Sequence, residues 1–280
     1  MARTSKLVAA LTRRGAHRVL RGDLAFAGLP GVVYTPESGF NLPAVAFGHD
    51  WLAGVERYSQ LLEHLASWGI VAAAPDTERG LAPSVLNLAF DMGTALDIAA
   101  GVRLGPGKIS VHPAKLGLIG HGFGGSAAVF AAAGMPGRHK AVAVIFPAVT
   151  KPPAEQPAAT LRVPGVVFST AEEAKSLRSN AIELSRAWDT ATVRLVSKAQ
   201  PAGLIEGRRL SGVFGLPGAH RKTQKAVRAL LTGYLLYVLA GDKTYRDFAD
   251  PEAQLPHTDA LDPDASPLAP EEKIAALLKR

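Results

Sequence analysis

Residues 115–130 read KLGLIGHGFGGSAAVF, which is the most informative stretch of the chain for its fold. The apolar run Leu116 to Ile119 predicts a buried strand, the glycines after it predict a tight turn, and the small residues after Phe123 predict a helix. Glycines are favoured in such a turn because a Cβ atom would collide with the neighbouring strand and helix. The stretch therefore predicts a strand, a sharp turn and a helix in direct succession.

Short apolar runs alternate with helical segments on both sides of this stretch, from Pro43 onward. The predicted strands are 44–47, 70–74, 116–119, 141–146, 163–168 and 193–196, and the predicted helices are 55–68, 83–102, 174–188, 222–239 and one that begins at Phe123. Strands that are apolar throughout favour a sheet buried on both faces, with parallel strands and right-handed crossovers. We therefore predict an α/β fold: a three-layer sandwich around a mostly parallel, doubly wound sheet, preceded by an antiparallel hairpin within residues 25–38.

The chain has 280 residues, 48% of them apolar, which is enough for one substantial core. We expect a basic arm over residues 1–22, one α/β domain over residues 23–241, and a Pro- and Asp-rich tail over residues 242–280 that ends in a short charged helix at 271–280. The longest apolar stretches, 141–149 and 229–240, are too short for a membrane span.

The net charge of +7 is concentrated in the first 22 residues, which carry six basic side chains and no acidic one. These six are Arg3, Lys6, Arg13, Arg14, Arg18 and Arg21. Such an arm can contact an anionic membrane surface or an acidic protein, or it can be a solvated leading helix. Nucleic acid is not favoured, because no aromatic stacking platform accompanies the charges. Because no signal-peptide pattern is present, we expect a cytoplasmic protein, with peripheral contact at the inner membrane face if the arm binds lipid.

Several classes of chemistry have no support in the residues. The chain has no cysteine, its eight histidines show no metal-ligand spacing, and no phosphate-binding or dinucleotide pattern is present. We therefore expect neither a metal nor a cofactor.

The turn itself compares with the nucleophile-elbow pattern G-x-S-x-G, in which a strained turn presents a serine. Its five positions here are Gly120, His121, Gly122, Phe123 and Gly124. The central position, where the pattern has its serine, therefore holds a residue without a side chain.

Taken with the flanking segments, the chain resembles the α/β-hydrolase superfamily, in particular its dienelactone-hydrolase, cutinase-like and chlorophyllase branch, over about residues 30–240. PAVAFGHDWLAGVERYSQLLEHLASWGIVAAAPDT (43–77) resembles that branch's oxyanion strand and loop, first helix and next strand. VPGVVFSTAEE (163–173) resembles the strand and loop that carry the catalytic acid, and VRLVSKAQPAGL (193–204) resembles those that carry the histidine.

The resemblance implies a degenerate triad. The nucleophile position falls on Gly122, which has nothing to attack a carbonyl. The histidine position falls on Pro201, or on Gln200 with a slip of one, and neither moves protons at neutral pH. The acid position falls on Glu172, with Glu173 next to it, and both are chemically acceptable.

The oxyanion hole implied by the resemblance consists of the Phe123 and Trp51 backbone N–H groups. The family usually has glycine where Asp50 stands, and a carboxylate there would repel an oxyanion. Among other candidates, Ser126 is interpreted as a small residue that packs its helix on the sheet. His121 and His49 are interpreted as structural, His49 through hydrogen bonds to loop backbone.

Two functional hypotheses follow. One is a pseudohydrolase that binds a small acyl or carbonyl-containing ligand, or a protein partner, in a pocket bounded by His49, Asp50, Trp51, His121, Gly122 and Phe123. The other is an enzyme, either a dienelactone-type carboxylester hydrolase or a cofactor-free lyase, that uses relocated acid and base residues. For the second hypothesis, the candidates are His49, Asp50, His121 and Glu172.

Overall fold

A single β-sheet organises the molecule. The computed structural model describes residues 2–173, 176–207 and 218–259, and in these residues the sheet has nine strands. The strands are β1 (Val19–Asp23), β2 (Gly31–Pro36), β3 (Gly39–Gly48), β4 (Val71–Pro75), β5 (Ile109–His121), β6 (Ala141–Ile145), β7 (Gly165–Ser169), β8 (Ala191–Val196) and β9 (Thr258–Asp259). Their order is β1-β2-β4-β3-β5-β6-β7-β8-β9. Pairing is parallel from β4 to β8 and antiparallel at both ends, so the predicted mostly parallel, doubly wound sheet is confirmed.

Helices cover both faces of the sheet. The described helices are α1 (Ala2–Leu11), α2 (Ser59–Ser67), α3 (Val85–Gly101), α4 (Phe123–Gly134), α5 (Glu155–Ala158), α6 (Ala181–Ala187) and α7 (Arg221–Val238). On one face, α1, α2 and α7 share an apolar core that includes Leu62 and Leu231. On the other face, α3, α4 and α6 share a second core that includes Leu88 and Val129. This arrangement confirms the predicted three layers.

One predicted helix is shorter than the sequence pattern indicated. The helix expected over 174–188 begins only at Ala181. The preceding chain is engaged elsewhere, because Val149 N–H donates to the Arg178 carbonyl at 3.1 Å and Ala148 pairs with Ser179 in an isolated bridge. Backbone groups that are used in this way cannot also form the first helical turn.

The N-terminal segment is built into the fold. Val8 and Leu11 of α1 are buried in the core beside α7. The Trp68 indole N–H donates to the Arg13 carbonyl at 3.1 Å, and β1 forms the first strand of the sheet. The boundary predicted after residue 22 therefore falls inside β1. The six basic side chains of this segment are all exposed.

The chain after α7 also packs on the domain. Phe248 is buried over Gly233, where a Cβ atom would lie 2.4 Å from its ring. The buried Arg194 guanidinium donates to backbone carbonyls of this segment, including that of Ala253 at 2.9 Å, and β9 extends the sheet beside β8. The tail predicted over 242–280 is therefore part of the fold up to Asp259, and the helix predicted at 271–280 lies outside the described residues.

The strand order determines where a site can form. After β3 the chain adds β4 on one side and then crosses to add β5 on the other side. In open α/β sheets, a crevice forms beyond the carboxyl ends of the strands at such a reversal. The residues that follow β3 and β5, which begin at His49 and Gly122, meet there. No helix in the described residues is long and apolar enough to cross a bilayer.

Candidate functional site

The turn between β5 and α4 has the strained geometry that the sequence predicted. Gly122 has φ +54° and ψ −117°, a conformation that residues with side chains rarely adopt. A Cβ atom on Gly120 would lie 2.0 Å from the Gly124 carbonyl oxygen, and one on Gly124 would lie 2.2 Å from the Gly48 carbonyl group. The flanking glycines are therefore required by the close approach of β3, β5 and α4, and the predicted collisions are confirmed.

The Asp50 carboxylate occupies the space above this turn. A Cβ atom on Gly122 would lie 2.0 Å from Asp50 Oδ1, which is far inside van der Waals contact. The same oxygen accepts a hydrogen bond from the Phe123 backbone N–H at 3.0 Å. This N–H is the first free donor of α4, and a helix N-terminus favours a negative group. Asp50 therefore fills the volume of a side chain at position 122 and uses the N–H that the resemblance assigns to an oxyanion.

A chain of hydrogen bonds connects the Asp50 backbone to Tyr58 and His121. Its backbone N–H donates to the Tyr58 hydroxyl at 3.2 Å, and that hydroxyl lies 2.9 Å from Nδ1 of His121. Because the hydroxyl oxygen accepts from Asp50, its proton is available for Nδ1. Both Tyr58 and His121 are buried. His121 thus lies directly beside the turn and helps to position the loop that carries Asp50.

His49 and Trp51, on either side of Asp50, have different surroundings. His49 is fully buried, and its two ring nitrogens lie 2.9 Å from the Asp50 carbonyl oxygen and 2.7 Å from the Thr77 carbonyl oxygen. This geometry agrees with the structural interpretation of His49. Trp51 is half exposed, and its indole N–H donates to the Gly80 carbonyl at 3.3 Å. The loops after β3 and β4 are therefore joined at the edge of the site.

The carboxyl group that reaches the site is that of Glu173. Glu172 is exposed, whereas Glu173 is partly buried and its Oε2 has no hydrogen-bond partner among the described residues. Burial raises the pKa of Glu173 to about 8, and the negative charge of Asp50 adds to the effect. Of the two neighbouring candidates for the acid position, the one whose carboxyl group reaches the site is therefore Glu173. The two carboxyl groups interact, and Glu173 holds its proton at neutral pH.

The segment at the predicted histidine position, residues 200–204, is hydrogen-bonded to α7. Pro201 begins a short 3-10 turn, and Gln200 N–H donates to the Thr223 hydroxyl at 2.8 Å. His220, which the sequence reading did not single out, packs its Cβ against Gly203 of this turn and lies with Nδ1 2.7 Å from the same hydroxyl. His220 therefore has a structural partner at the start of α7. It lies far from Pro201 in sequence, so spacing alone could not identify it.

Ser126 has a packing role, as the sequence predicted. It is fully buried in α4, and its hydroxyl donates to the Ala148 carbonyl at 2.7 Å. Among the described residues, no group of three or more His, Asp or Glu side chains is arranged to hold a metal ion.

The parallel sheet with helices on both faces, the reversal at β3 and the strained glycine turn after β5 together define an α/β-hydrolase. Within this superfamily, the chain matches the family model of the dienelactone hydrolase family over residues 29–199. The match covers more than half of the chain, so the chain belongs to the dienelactone hydrolase family. None of the curated proteins with which the chain was compared matches it.

Proposed function

We propose that this member of the dienelactone hydrolase family is a pseudohydrolase, which keeps the hydrolase scaffold for binding and does not carry out serine acyl transfer. The observation that carries the proposal is the position of Asp50. Its carboxylate accepts the Phe123 N–H at 3.0 Å and lies where a side chain at position 122 would begin. An acyl carbonyl oxygen would meet a negative charge in place of a hydrogen-bond donor, so neither capture of the acyl group nor stabilisation of its oxyanion is supported.

An active-site fluorophosphonate probe tests the proposal. The wild-type chain should remain unlabelled under conditions that label a family member with an intact G-x-S-x-G turn, which is the positive control. Mass spectrometry of tryptic peptides would identify any modified residue. Stoichiometric labelling at one serine or threonine would overturn the proposal.

The polarity of the site indicates what it binds. Asp50 offers a carboxylate and Glu173 a protonated carboxyl group whose Oε2 is unpartnered among the described residues, so a ligand that donates hydrogen bonds or carries a positive charge fits better than an acyl group. The half-exposed Trp51, next to Asp50 in the chain, would contact the body of such a ligand. Calorimetry with butylammonium, butyrate and 1-butanol separates these classes: butylammonium should bind most tightly, 1-butanol more weakly, and butyrate not at all.

Matched variants locate this binding. At pH 7, Asp50→Asn should weaken butylammonium binding at least about tenfold, because it removes the negative charge of the site. Glu173→Gln should weaken it less, because Glu173 is protonated at that pH. Glu172→Gln, an exposed neighbour, should leave it unchanged. Preferential binding of butyrate, or equal loss in all three variants, would contradict this ligand class without bearing on the fluorophosphonate result.

A second candidate function is relocated acid and base chemistry, and one observation favours it. Asp50 and Glu173 form a carboxyl pair in which burial and the neighbouring charge keep one member protonated at neutral pH, which is typical of acid and base pairs in enzymes. A panel of lactones and carboxylic esters followed by pH-stat would detect turnover. Any activity of this kind should be lost in both Asp50→Asn and Glu173→Gln, and its persistence in both would exclude the pair.

We also propose that the N-terminal segment attaches the domain to an anionic membrane surface. The supporting observation is that its six basic side chains are all exposed on elements that are docked on the domain. Deleting the segment would remove β1 and uncover α7, so the test uses a full chain in which the six are changed to glutamine. Co-sedimentation with phosphatidylglycerol vesicles should fall at least about tenfold, since each charge contributes about 1 kcal/mol near such a surface. Equal binding by both chains would contradict the attachment.

A further inference from the structure

A cavity of about 300 Å³ lies at the edge of the sheet opposite the strained glycine turn. Its lining comes from the end of α4 and from the segments that lead into β6 and β7. These segments lie at the amino ends of parallel strands, whereas Gly122 follows the carboxyl end of β5. The cavity is therefore separate from the site around Asp50.

The wall of this cavity carries positive charge. Lys140 and Arg162 line it, and none of the described residues in its lining is acidic. Within the described part of the chain, Lys140 has no ion pair, and Arg162 has a loose one, 3.8 Å from Asp189, in which both side chains are exposed. Exposed pairs of this kind contribute little to stability. Both positive charges are therefore available to an anion.

A buried histidine lies in the same wall. His139 is 6% exposed, and its Nε2 has no hydrogen-bond partner among the described residues. Burial lowers the pKa of His139 to about 4, and the charge of Arg138 adds to the effect, so the ring is neutral at pH 7. A neutral ring with its proton on Nε2 can donate to an oxygen atom, and a buried donor without a partner is costly. An anion in the cavity would supply the missing acceptor.

The charge of the wall favours a phosphate group over a carboxylate. Arginine binds phosphate through two parallel hydrogen bonds, and lysine binds it as a point charge. A phosphate dianion balances the two charges of Lys140 and Arg162, whereas a carboxylate would balance one. The dipole of α4 also favours cations near its C-terminal end, but it explains neither Arg162, which belongs to another segment, nor the unpartnered His139.

The size of the cavity indicates that the phosphate group has a body attached. A cavity of roughly 150 Å³ holds a benzene ring. The cavity of about 300 Å³ therefore has room for a phosphate group with a body of that size beside it. Most of the remaining lining is apolar and includes Met135, Leu161 and Val163, which would contact this body.

We propose that this cavity binds a phosphorylated small molecule, whose phosphate group lies between Lys140 and Arg162 and accepts a hydrogen bond from Nε2 of His139. The body of the ligand packs on the apolar lining beside the end of α4. Binding would join the two segments that lead into β6 and β7, at the edge of the sheet away from Asp50.

Calorimetry of the full chain with phenyl phosphate, inorganic phosphate and phenol at pH 8 tests the proposal. A phosphate monoester is a dianion at this pH, because its second pKa is about 6. Phenyl phosphate should bind with a dissociation constant below about 1 mM, inorganic phosphate at least about tenfold more weakly, and phenol not measurably. No binding of phenyl phosphate at about 5 mM, or equal binding of phenyl phosphate and inorganic phosphate, would overturn the proposal.

Matched variants locate the binding. Lys140→Gln and Arg162→Gln should each weaken phenyl phosphate binding at least about tenfold. The control is Lys243→Gln, because Lys243 is also an exposed lysine and lines a neighbouring cavity that shares Pro164 with this one. This variant should bind like the wild type. Equal losses in all three variants would indicate general attraction to a basic surface, and that result, or unchanged binding in both Lys140→Gln and Arg162→Gln, would overturn the proposal.

Nitrogen-15 NMR of the histidine-labelled full chain tests the contact with His139. The Nε2 resonance of His139, assigned by its loss in His139→Gln, should shift on addition of phenyl phosphate more than that of any other histidine. Far-UV circular dichroism should show all the variants folded. Binding that leaves the His139 resonance unchanged would place the phosphate group elsewhere and would overturn the proposal.

Discussion

Glu173 and Glu206 lie in the loops that follow the neighbouring strands β7 and β8, and they differ in what surrounds their carboxyl groups. Glu206 is buried and caps α2, because it accepts hydrogen bonds from the backbone N–H groups of Gln60 at 2.9 Å and Leu61 at 3.1 Å. The Ser59 hydroxyl adds a third donor at 3.2 Å. Glu173 has a buried Oε2 without a partner among the described residues, and it faces the charge of Asp50.

The difference separates a structural carboxyl group from one with potential for function. Burial raises the pKa of both groups, but the hydrogen bonds from Gln60 and Leu61 counteract the rise at Glu206 by stabilising its charged form. At Glu173 the Asp50 charge acts in the same direction as burial. An unsatisfied, perturbed group beside a strained turn is typical of functional sites, whereas a satisfied one is typical of capping.

Glu206→Gln should give the largest effect, a loss of about 3 kcal/mol in the free energy of unfolding. Gln60 and Leu61 donate to different carboxylate oxygens of Glu206, and a glutamine side chain has an NH₂ group in place of one of them, so in this geometry it accepts from only one of the two. One buried N–H at the start of α2 would lose its partner. Urea unfolding at pH 7 measures the loss, and Glu172→Gln, an exposed carboxyl group, should stay within about 0.5 kcal/mol of the wild type. Equal stability of Glu206→Gln and the wild type would show that the cap is not required.

Much of the fold could be predicted from the sequence because its signals are local. Neighbouring residues determine the apolar runs, the glycine turn at residues 120–124 and the helix after Phe123. Where the backbones approach too closely for a Cβ atom, the sequence has glycine, so this packing is visible in the sequence. Features that depend on distant pairing were missed. The late start of α6 follows from bonds to residues 148 and 149, and the docking of α1 follows from its contact with the core beside α7.

The residues of the site could be predicted from the sequence, but their arrangement in space could not. The sequence identified Asp50 as a departure from the family pattern and predicted that it would repel an oxyanion. It gave no indication that the carboxylate would occupy the Phe123 N–H and the space above Gly122. The choice between Glu172 and Glu173 depends on how the loop turns after β7, which a pair of adjacent glutamates does not specify. Tyr58, which links Asp50 to His121, lies in a mostly polar stretch, VERYSQ (55–60), and carries no local signal.

Gly122→Ser should give the second-largest loss in the free energy of unfolding, because its side chain would collide with the Asp50 carboxylate. The new Cβ atom would begin 2.0 Å from Asp50 Oδ1, and the residue would adopt φ +54°. The free energy of unfolding should fall by about 2 kcal/mol, and Asp50→Gly in the same chain should recover about 1 kcal/mol by removing the collision. The remainder is backbone strain.

A double-mutant cycle in urea measures this coupling. It needs the wild type, both single variants and the double variant, compared at pH 7. Additive losses from Gly122→Ser and Asp50→Gly would mean that the two side chains do not compete for one space, and the assignment of Asp50 to that space would be wrong.

Glu173→Gln should give the smallest effect, with a sign opposite to that of Glu206→Gln. The pKa of Glu173 is raised from 4.5 to about 8, so the folded state binds this proton more tightly than the unfolded chain does. The resulting stability is fully present below pH 4.5 and is lost as the pH rises through 8. Glutamine resembles the protonated acid and does not titrate, so the variant should match the wild type near pH 4.5 and exceed it by about 1 kcal/mol at pH 8.5, after allowance for partial exposure of the group.

The pH dependence distinguishes this result from a packing effect. A gain from packing would be the same at every pH, whereas the gain from a raised pKa should grow between pH 5 and pH 8.5. Urea unfolding at those two pH values and at pH 7 measures it. Asp50→Asn should reduce the growth, since the Asp50 charge contributes to the raised pKa but is a smaller cause than burial. If Glu173→Gln instead lost stability at pH 8.5, as Glu206→Gln should, Glu173 would have to be a satisfied carboxylate, and the contrast between the two loops would not hold.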